Sequence, residues 1–90
     1  MNGLRIPEVI KSVVSPDGAV LLDTRAGRVV GLNPTGAVIW DRLRAGADAE
    51  QIAGELAARY DVDRDRVRAD VLGVISTLLD RGVLDAGTTR

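Results

Sequence analysis

Arg28-Val29-Val30-Gly31-Leu32-Asn33-Pro34-Thr35-Gly36 is the stretch on which the reading of the fold turns. After one arginine, its first five residues are an uncharged and largely β-branched run with no helical spacing, which reads as a strand. Asn33-Pro34 then changes the regime. Asparagine is a favoured helix N-cap, and proline is tolerated at the first helical position, where its missing N–H costs nothing. Strand gives way to helix within two residues, so sheet is expected before this point and helix after it.

Working back toward the N-terminus, residues 9–14 and 19–23 have the same strand character. They flank Ser15-Pro16-Asp17-Gly18, where proline presets its backbone angle and glycine accepts a positive φ. Thr24-Arg25-Ala26-Gly27 turns the chain again into residues 28–32, and consecutive short hairpins imply an antiparallel meander. Working forward, Val38, Ile39, Trp40 and Leu43 give the first helix an apolar side through to Arg44, and Gly46 is placed to end it. Asp48 followed by Gln51 resembles a capping box, and Ile52, Leu56 and Tyr60 recur on one face of a second helix. Asp63 caps a third helix over about 64–81, which Gly82 stops. Residues 1–8 read as a flexible lead-in, 9–84 as the domain and 85–90 as a disordered tail, with Val83-Leu84 adding a short closing contact. The fold class is α+β, a winged helix-turn-helix-like domain with a three-stranded antiparallel sheet followed by three helices.

The composition bounds the chemistry. A chain of 90 residues with 12 Lys+Arg, 13 Asp+Glu and 46% hydrophobic content describes one domain with a single core. At this size only about 60–65% of the unfolded surface is buried, so a surface groove is expected in place of a deep catalytic pocket. There is no cysteine and no histidine, which removes thiolate nucleophiles, zinc ribbons, redox pairs and imidazole chemistry. Most hydrolytic chemistry is therefore unavailable, and no cofactor is expected. No apolar run reaches the roughly 20 residues of a membrane span, and the start lacks a secretory hydrophobic segment, which places the chain in the cytoplasm. Its 11 Arg against one Lys, and 10 Asp against 3 Glu, point to GC-rich coding and a bacterial source. Asp61, Asp63 and Asp65 have the spacing that opens a calcium loop, but neither the glycine nor the glutamate that should follow is present, so helix capping is their expected role and no metal is expected. Trp40 and Tyr60, in a chain without Phe, are expected as core fillers, Tyr60 in the core or at its boundary.

Two features leave room for a partner. Residues 28–32 form an outer strand whose edge carries no proline or lysine to blunt it, and an extended peptide could add there as a further strand. On the third helix, Val67, Val71, Val74, Ile75, Leu78, Leu79 and Leu72 span an apolar arc of about 160° at 100° per residue, wider than one core contact needs. Gly73, Ser76 and Thr77 keep the neighbouring surface low. The alternatives are a helix that packs on the sheet and its sister helices alike, and an edge capped by the protein's own tail or a dimer mate.

Gly27-Arg28-Val29-Val30-Gly31-Leu32-Asn33-Pro34-Thr35-Gly36 followed by Ile39-Trp40, taken with Asp70-Val71-Leu72, Leu78 and Arg81-Gly82-Val83-Leu84, resembles the PqqD family. Within it the chain is similar to the free-standing leader-binding proteins of lasso peptide biosynthesis. The resemblance implies a RiPP recognition element, a non-catalytic domain that binds the leader of a ribosomally made precursor as an antiparallel strand on its third strand. By position, the pairing edge would be Arg28, Val29, Val30, Gly31 and Leu32, and the groove wall Val67, Asp70, Val71, Val74 and Leu78. Asp70 or Arg28 would hold a charged leader residue. The pairing N–H would be that of Val30, or of Val29 in the other register. The resemblance further implies a leader motif of Tyr-x-x-Pro type, delivery to a separate cysteine leader peptidase and a cyclase, and no membrane or nucleic-acid partner. A PqqD-type peptide chaperone for a radical enzyme and a winged-helix DNA-binding regulator are the alternatives. Against the latter, residues 46–90 hold 6 Arg and 9 Asp+Glu, a poor surface for phosphate.

Overall fold

The computed structural model describes residues 3–86. Three strands, β1 (Ile10–Ser15), β2 (Gly18–Asp23) and β3 (Arg28–Leu32), precede three helices, α1 (Pro34–Arg44), α2 (Ala49–Tyr60) and α3 (Arg64–Asp80). The sheet is an antiparallel meander in the order β1-β2-β3. Each boundary follows from local chemistry. Gly18 has φ 138°, and a Cβ there would lie 2.1 Å from the Leu32 carbonyl oxygen, so the first turn closes against the end of β3 only with glycine. In the second turn the Asp23 carboxylate accepts the N–H groups of Arg25 and Ala26, both at 3.0 Å.

The helix caps are those expected from the sequence. Asn33 Oδ1 accepts from Gly36 N–H at 2.7 Å with Pro34 opening α1. Asp48 and Gln51 form a reciprocal capping box on α2, and Asp63 accepts from Arg66 N–H at the start of α3. Asp61 ends α2 in the left-handed region with φ 54°, and Asp65 lies in the first turn of α3. Asp63 and Asp65 are thus an N-cap and a first-turn acid at the positive end of α3, whereas Asp61 closes α2 through its left-handed backbone, at the end of the helix where its charge compensates no dipole.

The core sits between one face of the sheet and the helices. Leu21, Ile39, Trp40, Ile52, Val71, Leu78, Val83 and Leu84 fill it. Trp40 is 0% exposed, and its Nε1 has no hydrogen-bond partner among the described residues. Tyr60 departs from expectation, being 57% exposed at the end of α2. Trp40 already fills the centre, and Tyr60 lies at the last turn of its helix, past the buried Ile52 and Leu56. The opposite face of the sheet presents Val13, Val20, Leu22 and Val29 to solvent.

Of the segment read as a flexible lead-in, residues 1–2 lie outside the described residues, while Leu4 and Ile6 pack against the core. Arg5 and Asp85 exchange two backbone hydrogen bonds, of 2.8 and 2.7 Å, which bring the two ends of the chain together. Of the tail read as disordered, 87–90 likewise lie outside the described residues.

Candidate functional site

The backbone phase of the sheet decides which groups its outer strand offers. Thr24 N–H donates to Val9 C=O at 3.1 Å, one step beyond the paired Ile10 and Asp23. Antiparallel pairs alternate between hydrogen-bonded and non-bonded, so on β2 the residues Val20 and Leu22 direct their backbone to β1. Ala19, Leu21 and Asp23 then bond to their β3 partners Leu32, Val30 and Arg28. What remains on the outer side of β3 are the N–H and C=O groups of Val29 and Gly31. Among the described residues, no strand pairs with them. Of the two registers open in the sequence, this selects Val29; the Val30 backbone belongs to the ladder with β2, and its side chain is buried under the sheet.

Beside this edge runs a groove of about 460 Å³ between the end of β3, the start of α1 and α3. Its lining includes Gly31 and Leu32 from the strand, Asn33 and Gly36 from the turn into α1, and Asp70, Val74 and Leu78 from α3. The remaining lining residues are Ala69, Gly73 and Thr77, which recur every four residues along one face of the helix. A Cβ built on Gly73 meets nothing within 4 Å. A glycine inside a helix is less favourable than alanine by about 1 kcal/mol, and no packing within the fold calls for it here. It leaves the groove deep where a side chain would fill it.

Outside the groove, Arg28 ties the start of β3 to the end of α3. Its guanidinium donates to the Arg81 carbonyl oxygen at 3.2 Å, at the C-terminus of α3, and stands 3.8 Å from the Asp23 carboxylate. Asp23 is itself buried, and the N–H of Ala26 foremost, with that of Arg25 and the charges of Arg25 and Arg28, holds its carboxyl below the usual carboxylate range against the opposing effect of burial. Arg28 is therefore occupied on its own protein. Asp70, in contrast, is exposed and has no ion pair or side-chain hydrogen bond among the described residues. Since Arg28 lies by Arg81, and Gly31 and Leu32 share the groove with Ala69 and Asp70, β3 runs opposite to α3.

The residues singled out in the sequence divide as follows. Gly31, Leu32, Asp70, Val74 and Leu78 line the groove together. Val29 lies at the free edge with its side chain on the solvent face, 65% exposed. Val71 belongs to the core, at 0% exposed, because the apolar arc of α3 is divided: Val71 and Ile75 turn into the core, Leu78 is buried at the bottom of the groove, and Val74 borders it. Val67 and Val71 line a neighbouring hollow with Asp70. Asn33, Gly36, Ala69, Gly73 and Thr77 were not singled out as binding residues. For the three on α3 the signal is the four-residue spacing of small side chains, of which Gly73 and Thr77 read in the sequence as keeping the surface low.

Comparison with known proteins identifies the family and the fold. The family model described as coenzyme PQQ synthesis protein D (PqqD) matches residues 18–84. No curated protein gives a significant match. Among solved structures, TbiB1 in complex with the TbiA(beta) leader peptide is similar over 96% of this chain and 99% of its own, with 30% identity and a TM-score of 0.84. A lasso peptide synthetase B1 complexed with the leader peptide is similar over 92% of this chain and 98% of its own, at 30% identity and a TM-score of 0.83. With the family model spanning all but the first strand and the ends of the chain, on the sheet-and-helix fold those structures share, the chain belongs to the PqqD family.

Proposed function

We propose that this protein is a non-catalytic recognition element for the leader of a ribosomally made precursor of lasso peptide type. The leader adds to β3 as an antiparallel strand and lays alternate side chains into the groove beside α3. The observation that carries this reading is the coincidence of the unpaired Val29 and Gly31 backbone with a groove floored by Ala69, Gly73 and Thr77. Guest residues opposite Val30 and Leu32 share their inward face and meet the groove, where Val74 and Leu32 supply apolar contact and a prolyl residue would hold an extended backbone. The B1 proteins in the two structures are complexed with leader peptides, which supports the same role here. Delivery of the bound leader to a separate cysteine leader peptidase and a cyclase, in the cytoplasm, completes the proposal. Among the described residues, no helix is long and apolar enough to cross a membrane.

Main-chain pairing plus one or two apolar anchors corresponds to a Kd between micromolar and nanomolar, about 8 to 12 kcal/mol. The test is calorimetric titration of the precursor leader against wild type, Val29→Pro and Val74→Asp, with circular dichroism to confirm folding. Proline at Val29 removes an outward N–H that the fold does not use, so it should weaken binding roughly 100-fold while the sheet persists. Unchanged affinity in both variants would overturn the proposal.

A further inference from the structure

We propose that the outer face of the sheet, turned away from the helices, is the docking surface for the peptidase that cuts the bound precursor, and that the added leader strand completes this surface. The inference rests on the strand-addition reading above. By the pairing register the face carries two rows, Lys11-Leu22-Val29 and Val13-Val20-Gly31. An antiparallel sheet with helices on one side ordinarily turns polar residues to water on the other. Here Val13, Val20, Leu22 and Val29 are all exposed, Val13 at 72%, and Lys11 is the one charge in the two rows.

Gly31 is a second and independent sign. A Cβ built there meets nothing within 4 Å, so packing within the fold does not call for glycine in a strand that it weakens. Such a residue marks a place where a ligand or another backbone comes close. On the outer face it opens a hollow of about 430 Å³ with Val13, Val20 and Leu32.

Area selects a second protein over a second copy of this chain. Four partly exposed aliphatic side chains offer a patch of a few hundred Å². Two copies stacked face to face would bury roughly twice that, short of the about 1,200 Å² of a stable interface. A leader strand on β3 enlarges the face, since guest residues opposite Val29 and Gly31 point outward with them. The free domain thus presents three strands and the loaded domain four, which ties docking to cargo. Chain direction points to the same partner. An antiparallel guest runs from the Leu32 end of β3 to the Arg28 end, so the rest of the precursor leaves beside the Leu22-Val29 row, within reach of an enzyme seated there.

The test uses the precursor and the peptidase that removes its leader, with cleavage followed by mass spectrometry over a range of loaded-domain concentrations. Leu22→Glu and Val13→Glu place a carboxylate on the face, and Val13→Ser is the milder variant should a glutamate unfold the sheet; thermal unfolding is recorded for each. All three should bind the isolated leader within about twofold of wild type by calorimetry, because the β3 edge and the groove beside α3 are untouched. The glutamate variants should raise the loaded-domain concentration for half-maximal cleavage by roughly tenfold or more, and Val13→Ser by about threefold, with the rate at saturation unchanged. Sedimentation of the free domain should show a monomer. Unchanged half-saturation in the folded variants would overturn this inference and leave strand addition standing. So would a wild-type dimer that Val13→Glu dissociates, which gives the face to a second copy. A fall in leader affinity that accounts for the whole loss of cleavage would return the face to the leader site and also overturn it. Leader binding indifferent to Val29→Pro would overturn strand addition and this inference together.

Discussion

The two outer strands of the sheet are similar in length, yet they differ in what their edges offer. On β1 the outward backbone belongs to Ile10, Ser12 and Val14, by the same alternation that frees Val29 and Gly31 on β3. The Ile10 N–H is already taken by the Pro7 carbonyl at 3.0 Å, and Pro16 stands at the far end of the strand. On β3 the outward groups are unpaired, and α3 lies alongside with Ala69, Gly73 and Thr77 holding space open. Unpaired backbone alone is a liability. It becomes a site where a neighbouring helix leaves room for the guest's side chains.

The largest effect is expected at the joint between the two edges. Gly18→Ala forces a Cβ onto the Leu32 carbonyl at a φ of 138°, and should cost about 3 kcal/mol. Thermal unfolding should fall by roughly 10 °C or more, and an unshifted midpoint would show that β3 is not held from this turn. Next comes the direct comparison of edges: Ser12→Pro on β1 should change leader affinity less than about twofold, against the roughly 100-fold loss for Val29→Pro on β3. Equal losses would mean that the guest does not choose between the edges. Gly73→Leu then separates groove from fold. It should lower affinity by roughly 30-fold while leaving the unfolding midpoint unchanged or higher, because the helix gains propensity and the new Cβ meets nothing within 4 Å. The smallest effect concerns the turn that leads into β3. The Asp23 carboxyl is held below its usual range in the folded protein, so the unfolded chain takes up the proton first. Its stabilisation is full at neutral pH and disappears as the pH falls through about 4 and below. Denaturant titrations of wild type and Asp23→Asn should differ at pH 7 and converge on acidification, and a constant difference would refute this.

α3 repeats the lesson of the two edges within one helix. Its sequence shows an apolar arc too wide for one contact, but angular position alone does not divide it. Val71 turns into the core and Val74 to the groove, although they are three residues apart and lie on the same arc. The small-residue row stands just outside that arc, where a search for apolar wall residues does not look. Tyr60 was misplaced for a related reason: periodicity puts it in line with Ile52 and Leu56, yet the helix ends there and the core does not extend so far. Of the expected edge residues, Gly31 and Leu32 lie at the groove, whereas Arg28 donates to the Arg81 carbonyl oxygen.

Turn and cap chemistry determined the order and limits of the elements, since Asn33-Pro34, Asp48 with Gln51, Asp63, Gly46 and Gly82 act on backbone groups within a few residues of themselves. Alternation along Arg28 to Leu32 likewise needed nothing beyond the strand to mark an unblunted edge. Which of its backbone groups face outward depends on the hydrogen-bonding phase inherited from β1 through β2. Which face of α3 is left open depends on where α2 and α1 come to rest against it. Both are relations between segments distant in the chain, and only packing in three dimensions sets them.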